Sequence, residues 1–164
     1  MANQEEQCVV KPSAIGEELA IFKPAPVMPV DIWQRMKLPA SQGTRLREAV
    51  ESGLAFDALL LAQQELQVEQ QQVLEIVGLS PRTLARRKQA GRLSREESDR
   101  IARIAVVIDA AEQLFEGHHD NAVAWLKRPV RALGGEVPLQ LLTTEAGARD
   151  VLDVIGRLEH GVFS

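Results

Sequence analysis

The stretch Val73–Ile104, VLEIVGLSPRTLARRKQAGRLSREESDRIARI, narrows the fold more than any other part of this chain. Val73, Leu74 and Val77 place apolar side chains on one helix face, and Gly78-Leu79-Ser80-Pro81 then supplies a turn, a buried anchor, an N-cap and a proline at the first helical position. This is the punctuation of a helix-turn-helix. In the second helix Leu84 points back to the core, Arg82, Thr83, Arg86, Arg87 and Lys88 occupy the rest of the circumference, and Gly91 closes it. A helix so decorated suits a DNA groove, which makes Ser80, Arg82, Thr83, Arg86, Arg87 and Lys88 the candidate DNA-binding residues.

Charge is distributed to match. From Ser80 to Arg103 eight basic residues face three acidic ones, a balance of +5, whereas the whole chain carries −4; everything outside that window therefore sums to −9. The competing reading is a solvated helix face, because most charge runs are that. Over 164 residues, 45% apolar and 26% charged residues allow one ordinary domain or two small ones. Ala, Leu, Glu, Gln and Arg dominate and β-branched alternation is scarce, so the expected fold class is all-α, a repressor-like helix-turn-helix domain followed by a small helical module. A single cysteine, Cys8, excludes an intrachain disulfide framework and points to a reducing, cytoplasmic compartment. The start MANQEEQ lacks the basic-then-apolar order of a secretory signal, and no apolar run reaches the ~20 residues of a membrane span.

Three units are expected: a proline-containing arm over 1–43, the helix-turn-helix domain over 44–117, and a carboxy-terminal module over 118–164. Pro12, Pro24, Pro26 and Pro29 limit the arm to short helices at Ala14–Phe22 and Val30–Lys37, with Phe22 and Trp33 free to dock either on the body or on a second chain. Thr44 reads as the N-cap of a helix ending at Gly53; further helices span Ala55–Gln64 and Val68–Val77. Ser94-x-x-Glu97 is a capping box, and Ile101, Ile104, Ile108, Ala111 and Phe115 then form a stripe running to Gly117 that packs either on the chain's own core or along a dimer seam.

The last unit reads as three short helices. Ala122, Trp125 and Leu126 precede Pro129; Gly134-Gly135 makes a loop; Pro138 opens a brief helix at Leu139–Leu142. Thr143 or Thr144 caps the final helix, whose buried stripe is Val151, Leu152, Ile155 and Leu158, and Gly161 ends it. Other constellations lack the spacing that chemistry needs. His118-His119-Asp120 is expected to be a solvated loop, because adjacent helical side chains diverge by about 100° and no third ligand lies at a recognisable spacing. His160 reads as a surface histidine, Ser80 and Ser94 as caps, and Gly134-Gly135 as a turn. No convergent catalytic set is visible, so binding, without cofactor or metal, is the expected role.

The segments SPRTLARRKQAGRLSREESDRI and WLKRPVRALGGEVPLQLLTTEAGARDVLDVIGRLEHGVFS, in that order, resemble the Xre/MbcA/ParS antitoxin family, the likeness running from about Gly53 to Ser164. Phe163 departs from the tyrosine that members often carry, which removes any role for a phenol there. The resemblance implies an antitoxin that neutralises a RES-domain, NAD+-degrading toxin and binds its own promoter. It further implies that the last helix and tail cover the toxin's active-site cleft, through Arg149, Asp150, Asp153, Arg157, Glu159, His160, Gly161, Val162, Phe163 and Ser164. Phe163 is an anchor in that scheme, or alternatively a plug folded back on its own module. Because one recognition helix binds weakly, a homodimer is expected to present two of them ~34 Å apart. A repressor whose carboxy-terminal module dimerises or senses, with no toxin, is the alternative.

Overall fold

The computed structural model describes residues 30–39 and 43–161; the expected helix at Ala14–Phe22 and the tail Val162, Phe163 and Ser164 lie outside them. Among the described residues all regular elements are helical, as the composition predicts. They are α1 (Ile32–Arg35), α2 (Thr44–Ser52), α3 (Asp57–Leu66), α4 (Gln70–Val77), α5 (Pro81–Ala90), α6 (Arg95–Leu114), α7 (His119–Leu126), a 3-10 turn at Arg131–Leu133, α8 (Pro138–Leu141) and α9 (Glu145–Glu159). None is long and apolar enough to cross a membrane.

α6 is the post on which the rest is hung. Its start is fixed by the expected capping box: Ser94 Oγ accepts from the Glu97 amide at 3.3 Å, and Glu97 Oε2 accepts from the Ser94 amide at 2.7 Å. At ~1.5 Å per residue its 20 residues span roughly 30 Å, enough to serve both halves of the chain. Helices α1 to α4, α7 and α9 all pack on it, with Arg35 of α1 bonded to Glu112 near its end. Encirclement explains why its buried surface is wider than the expected stripe. Ile101, Ile104, Ile108 and Ala111 are buried, and so are Ala102, Ala105 and Val107. The stripe is therefore core within one chain, and only Phe115 at its end is half-buried, tilted against Trp125.

The proline-containing arm contributes to this core. Asp31 caps α1 by accepting from the Gln34 amide at 2.8 Å, and Ile32, Trp33, Met36 and Leu38 are all buried, so Trp33 docks on its own chain. Thr44 differs from its expected role. It is the first residue of α2, the cap position falls on Gly43, and no side chain caps that end. In α9, Thr144 Oγ1 accepts from the Gly147 amide at 3.0 Å, which decides between the two threonines. Buried positions there are Gly147, Ala148, Val151, Val154 and Ile155, while Leu152 and Leu158 are only half-buried; a helix pressed against α6 on one side and α8 on another shifts its apolar stripe. Gly147 is demanded by that packing, since a Cβ would sit 2.3 Å from the Leu141 carbonyl oxygen.

Candidate nucleic-acid and protein interfaces

The helix-turn-helix is held from behind by α6. Gly78 adopts φ 70° at the end of α4, and Arg100 reaches over from α6 so that Nη1 donates to the Val77 carbonyl at 2.6 Å. That bond satisfies a terminal carbonyl of α4 and fixes the turn, and a Cβ on Gly78 would meet the same guanidinium at 2.2 Å. Ser80 caps α5, its Oγ accepting from the Thr83 amide at 3.2 Å and lying 3.0 Å from Thr83 Oγ1. After α5, the Leu93 amide donates to the Leu54 carbonyl at 2.9 Å and the Phe56 amide to the Gly91 carbonyl at 3.0 Å. Ser98, fully buried, accepts from the Leu54 amide at 2.8 Å and donates to the Ser94 carbonyl at 2.7 Å. Both ends of α5 are thus anchored although none of its residues is fully buried.

This leaves α5 as a cationic rod with its outer face open. Arg82, Arg86 and Lys88 are exposed, Thr83 and Leu84 half-buried, and Leu84 packs against the core as expected. Arg87 is different. Its Nε donates to Glu97 Oε1 at 3.0 Å and lies 2.8 Å from Oε2, so its charge is committed to the buried carboxylate that also completes the capping box of α6. The outward orientation expected for Arg87 along with its neighbours is not what the chain adopts, because position 87 faces α6 one turn after Leu84. Sequence alone does not reveal this, although Glu97, acidic at the start of a helix and needed as a cap, is the visible partner.

On the carboxy-terminal half the expected protein-binding residues divide by helix face. Asp150, Asp153 and Arg157 lie on one exposed face of α9, and with buried Val154 they line a groove of about 690 Å³. Its opposite wall is Ala132 and Leu133 of the 3-10 turn, Glu136, and Leu141 of α8. Glu136 is placed there by the turn, in which Gly134 and Gly135 both take positive φ and the Val130 amide donates to the Glu136 carbonyl at 3.0 Å. Arg149 points elsewhere, paired with Glu145 one turn earlier. Glu159, His160 and Gly161 are exposed at the end of α9. Ala132, Leu133 and Glu136 are members of the groove that sequence reasoning did not single out, since they approach α9 only through tertiary folding.

At 118–120 the expected solvated loop is instead the start of α7, and His119 joins a polar knot between helices. Arg35 Nε donates to Glu65 at 2.8 Å and its Nη2 to Glu112, while His119 Nδ1 lies 2.6 Å from Glu112 and Nε2 3.6 Å from Glu65. Burial opposes the charge on Arg35, yet the bond to Glu65 and the charges of Glu112 and Glu65 outweigh it and hold the guanidinium above its usual value. The ligand atoms of Glu65, Glu112 and His119 fall within 4.8 Å of one another, a spacing a metal ion tolerates. Arg35 already supplies the positive charge among them, and the knot ties α1, α3, α6 and α7 together. His118 stays exposed, and Asp120 accepts from Gln67 at 3.0 Å. Glu112, a buried acid on the apolar face of α6, is the one sign of this knot that the sequence displays.

Comparison with known proteins bears on both surfaces. Residues 45–106 match the family model described as the antitoxin Xre-like helix-turn-helix domain, and residues 110–161 match that of the antitoxin Xre/MbcA/ParS C-terminal toxin-binding domain. A Yersinia enterocolitica protein named Antitoxin Xre is 42% identical over 134 residues, 81% of this chain and 90% of its own length. A Photorhabdus laumondii protein of the same name is 36% identical over 148 residues, 89% of this chain and all of its own. A Sphingobium protein named Prs ADP-ribosylating antitoxin is 27% identical over 124 residues, 70% of this chain and 78% of its own.

Proposed function

Since this chain belongs to the Xre/MbcA/ParS antitoxin family, we propose that it neutralises a cognate RES-domain, NAD+-degrading toxin by covering its active site and represses its own operon as a homodimer. The family is one of non-enzymatic regulators, and residues 110–161, from the end of α6 through α9, match its toxin-binding domain. That match over residues 110–161 carries the reading. ADP-ribosyl transfer draws its ADP-ribose from NAD+, so the name of the Sphingobium relative agrees with a partner that consumes NAD+. On the toxin, Asp150, Asp153 and Arg157 make the lateral contacts from α9, with Arg149 beside them, and Glu159, His160, Gly161, Val162, Phe163 and Ser164 lead into the cleft.

On the promoter, exposed Arg82, Arg86 and Lys88 meet phosphates and base edges, Ser80 and Thr83 keep the first turn of α5 in register, and Arg87 acts by bracing the helix. Two such helices, one from each protomer, enter successive major grooves ~34 Å apart. The test is co-expression with the product of the adjacent reading frame while cellular NAD+ is followed. The full chain restores growth and the NAD+ pool, and a chain lacking Glu159–Ser164 restores neither. An NAD+ pool that never falls when the neighbour is expressed alone rules out the NAD+-degrading partner.

A further inference from the structure

The groove between α9 and the wall formed by Leu133, Glu136 and Leu141 combines three carboxylates, Glu136, Asp150 and Asp153, with one guanidinium, Arg157, for a formal balance of −2. Among the described residues none of the three carboxylates is in an ion pair, and the Arg157 Nε turns back toward the Asp153 carbonyl, 3.4 Å away, on its own helix. The floor is apolar: Val154 is buried, and Leu133 and Leu141 are half-buried. A trough of about 690 Å³ with a greasy floor and an anionic rim complements a side chain with an aliphatic stem and a cationic head. Asp150 and Asp153, three residues apart on one face, offer two acceptors to the fork of an arginine, which a point-charge lysine uses less fully. Nucleic acid is repelled by this rim, and the cationic surface of the chain lies on α5, so the groove faces a protein.

We propose that this groove receives a basic segment of the toxin, an arginine or lysine side chain seated between α9 and the 3-10 turn. The proposal rests on the toxin-binding reading above and names the chemistry of the partner at that site. It predicts an association driven in part by charge, fast and salt-sensitive, with α9 supplying the anionic half.

The experiment measures affinity by calorimetry between the full chain and the purified product of the adjacent toxin gene, at 50 and 500 mM NaCl. Asp150→Asn combined with Asp153→Asn keeps shape and removes charge; it should weaken binding about 10- to 100-fold at low salt and flatten the salt dependence. Glu136→Gln, on the opposite wall, should weaken it in the same sense, and serves should the double variant fail to fold by circular dichroism. Glu48→Gln, which removes an exposed carboxylate from α2 on the other half of the chain, should stay within about 3-fold of the parent. Folded groove variants that bind within 3-fold of the parent, with an unchanged salt slope, overturn the proposal while leaving toxin binding intact. A parent chain that does not bind the toxin at either salt overturns both.

Discussion

Arg86 and Arg87 are neighbours on the recognition helix, yet the structure gives them opposite jobs, and substituting each by alanine separates those jobs. The Arg87 side chain is 23% exposed and Glu97 10% exposed, with the two joined at 2.8 Å. A hydrogen bond to a charged group contributes about 1.5–3 kcal/mol net, and partial exposure of the arginine puts this one near the lower end. Removing Arg87 also leaves Glu97 buried with only the Ser94 amide as donor, so the expected loss is about 2 kcal/mol, or roughly 6 °C in Tm for a chain of this length. Arg86 is exposed, and its removal should change stability by less than about 0.5 kcal/mol. DNA binding should respond the other way round. In a dimer Arg86→Ala deletes two phosphate contacts, which lowers the slope of log K against log salt by about 1.8, at ~0.9 per phosphate. Arg87→Ala should leave that slope within about 0.5 while lowering affinity. Thermal melts followed by circular dichroism and anisotropy titrations on the upstream duplex at several salt concentrations read both quantities. An Arg87→Ala protein that melts like the parent and flattens the slope as much as Arg86→Ala would show that the ion pair with Glu97 does not brace the helix.

Two further outcomes follow from packing. Arg35→Met should lower stability by about 3 kcal/mol in denaturant titrations, because Glu65 and Glu112 are left facing each other with His119 alone between them; a combined Arg35→Met, Glu65→Gln, Glu112→Gln protein should recover part of that loss, and no recovery would mean the aliphatic stem matters more than the charge. Gly147→Ala should cost about 1–3 kcal/mol by driving α8 from α9, and should weaken toxin binding while promoter affinity holds; equal stability would mean the Leu141 carbonyl yields freely.

Local chemistry written in consecutive residues was readable directly from the sequence. The Gly78-to-Pro81 turn, the Ser94–Glu97 box, the stops at Gly53 and Gly91 and a threonine cap at 143 or 144 each depend on neighbours a few positions apart, and all appear where their residue types require, the structure choosing Thr144. Thr44 fails as a cap because Gly43 occupies that position, a one-residue difference that local signals resolve poorly. Residues brought together from far along the chain were hidden. Arg87 meeting Glu97, Arg35 meeting Glu65, Glu112 and His119, and Glu136 facing Asp150 and Asp153 all depend on how helices are placed around α6. Periodicity fixes which side of a helix is buried, but two charged residues on different helices meet only once the crossing is set, and the crossing is set by packing of the whole core. The sequence thus determined that this protein is built of helices and where the caps and glycine stops of most of them fall; the tertiary structure alone decided which charges remain free to meet a partner.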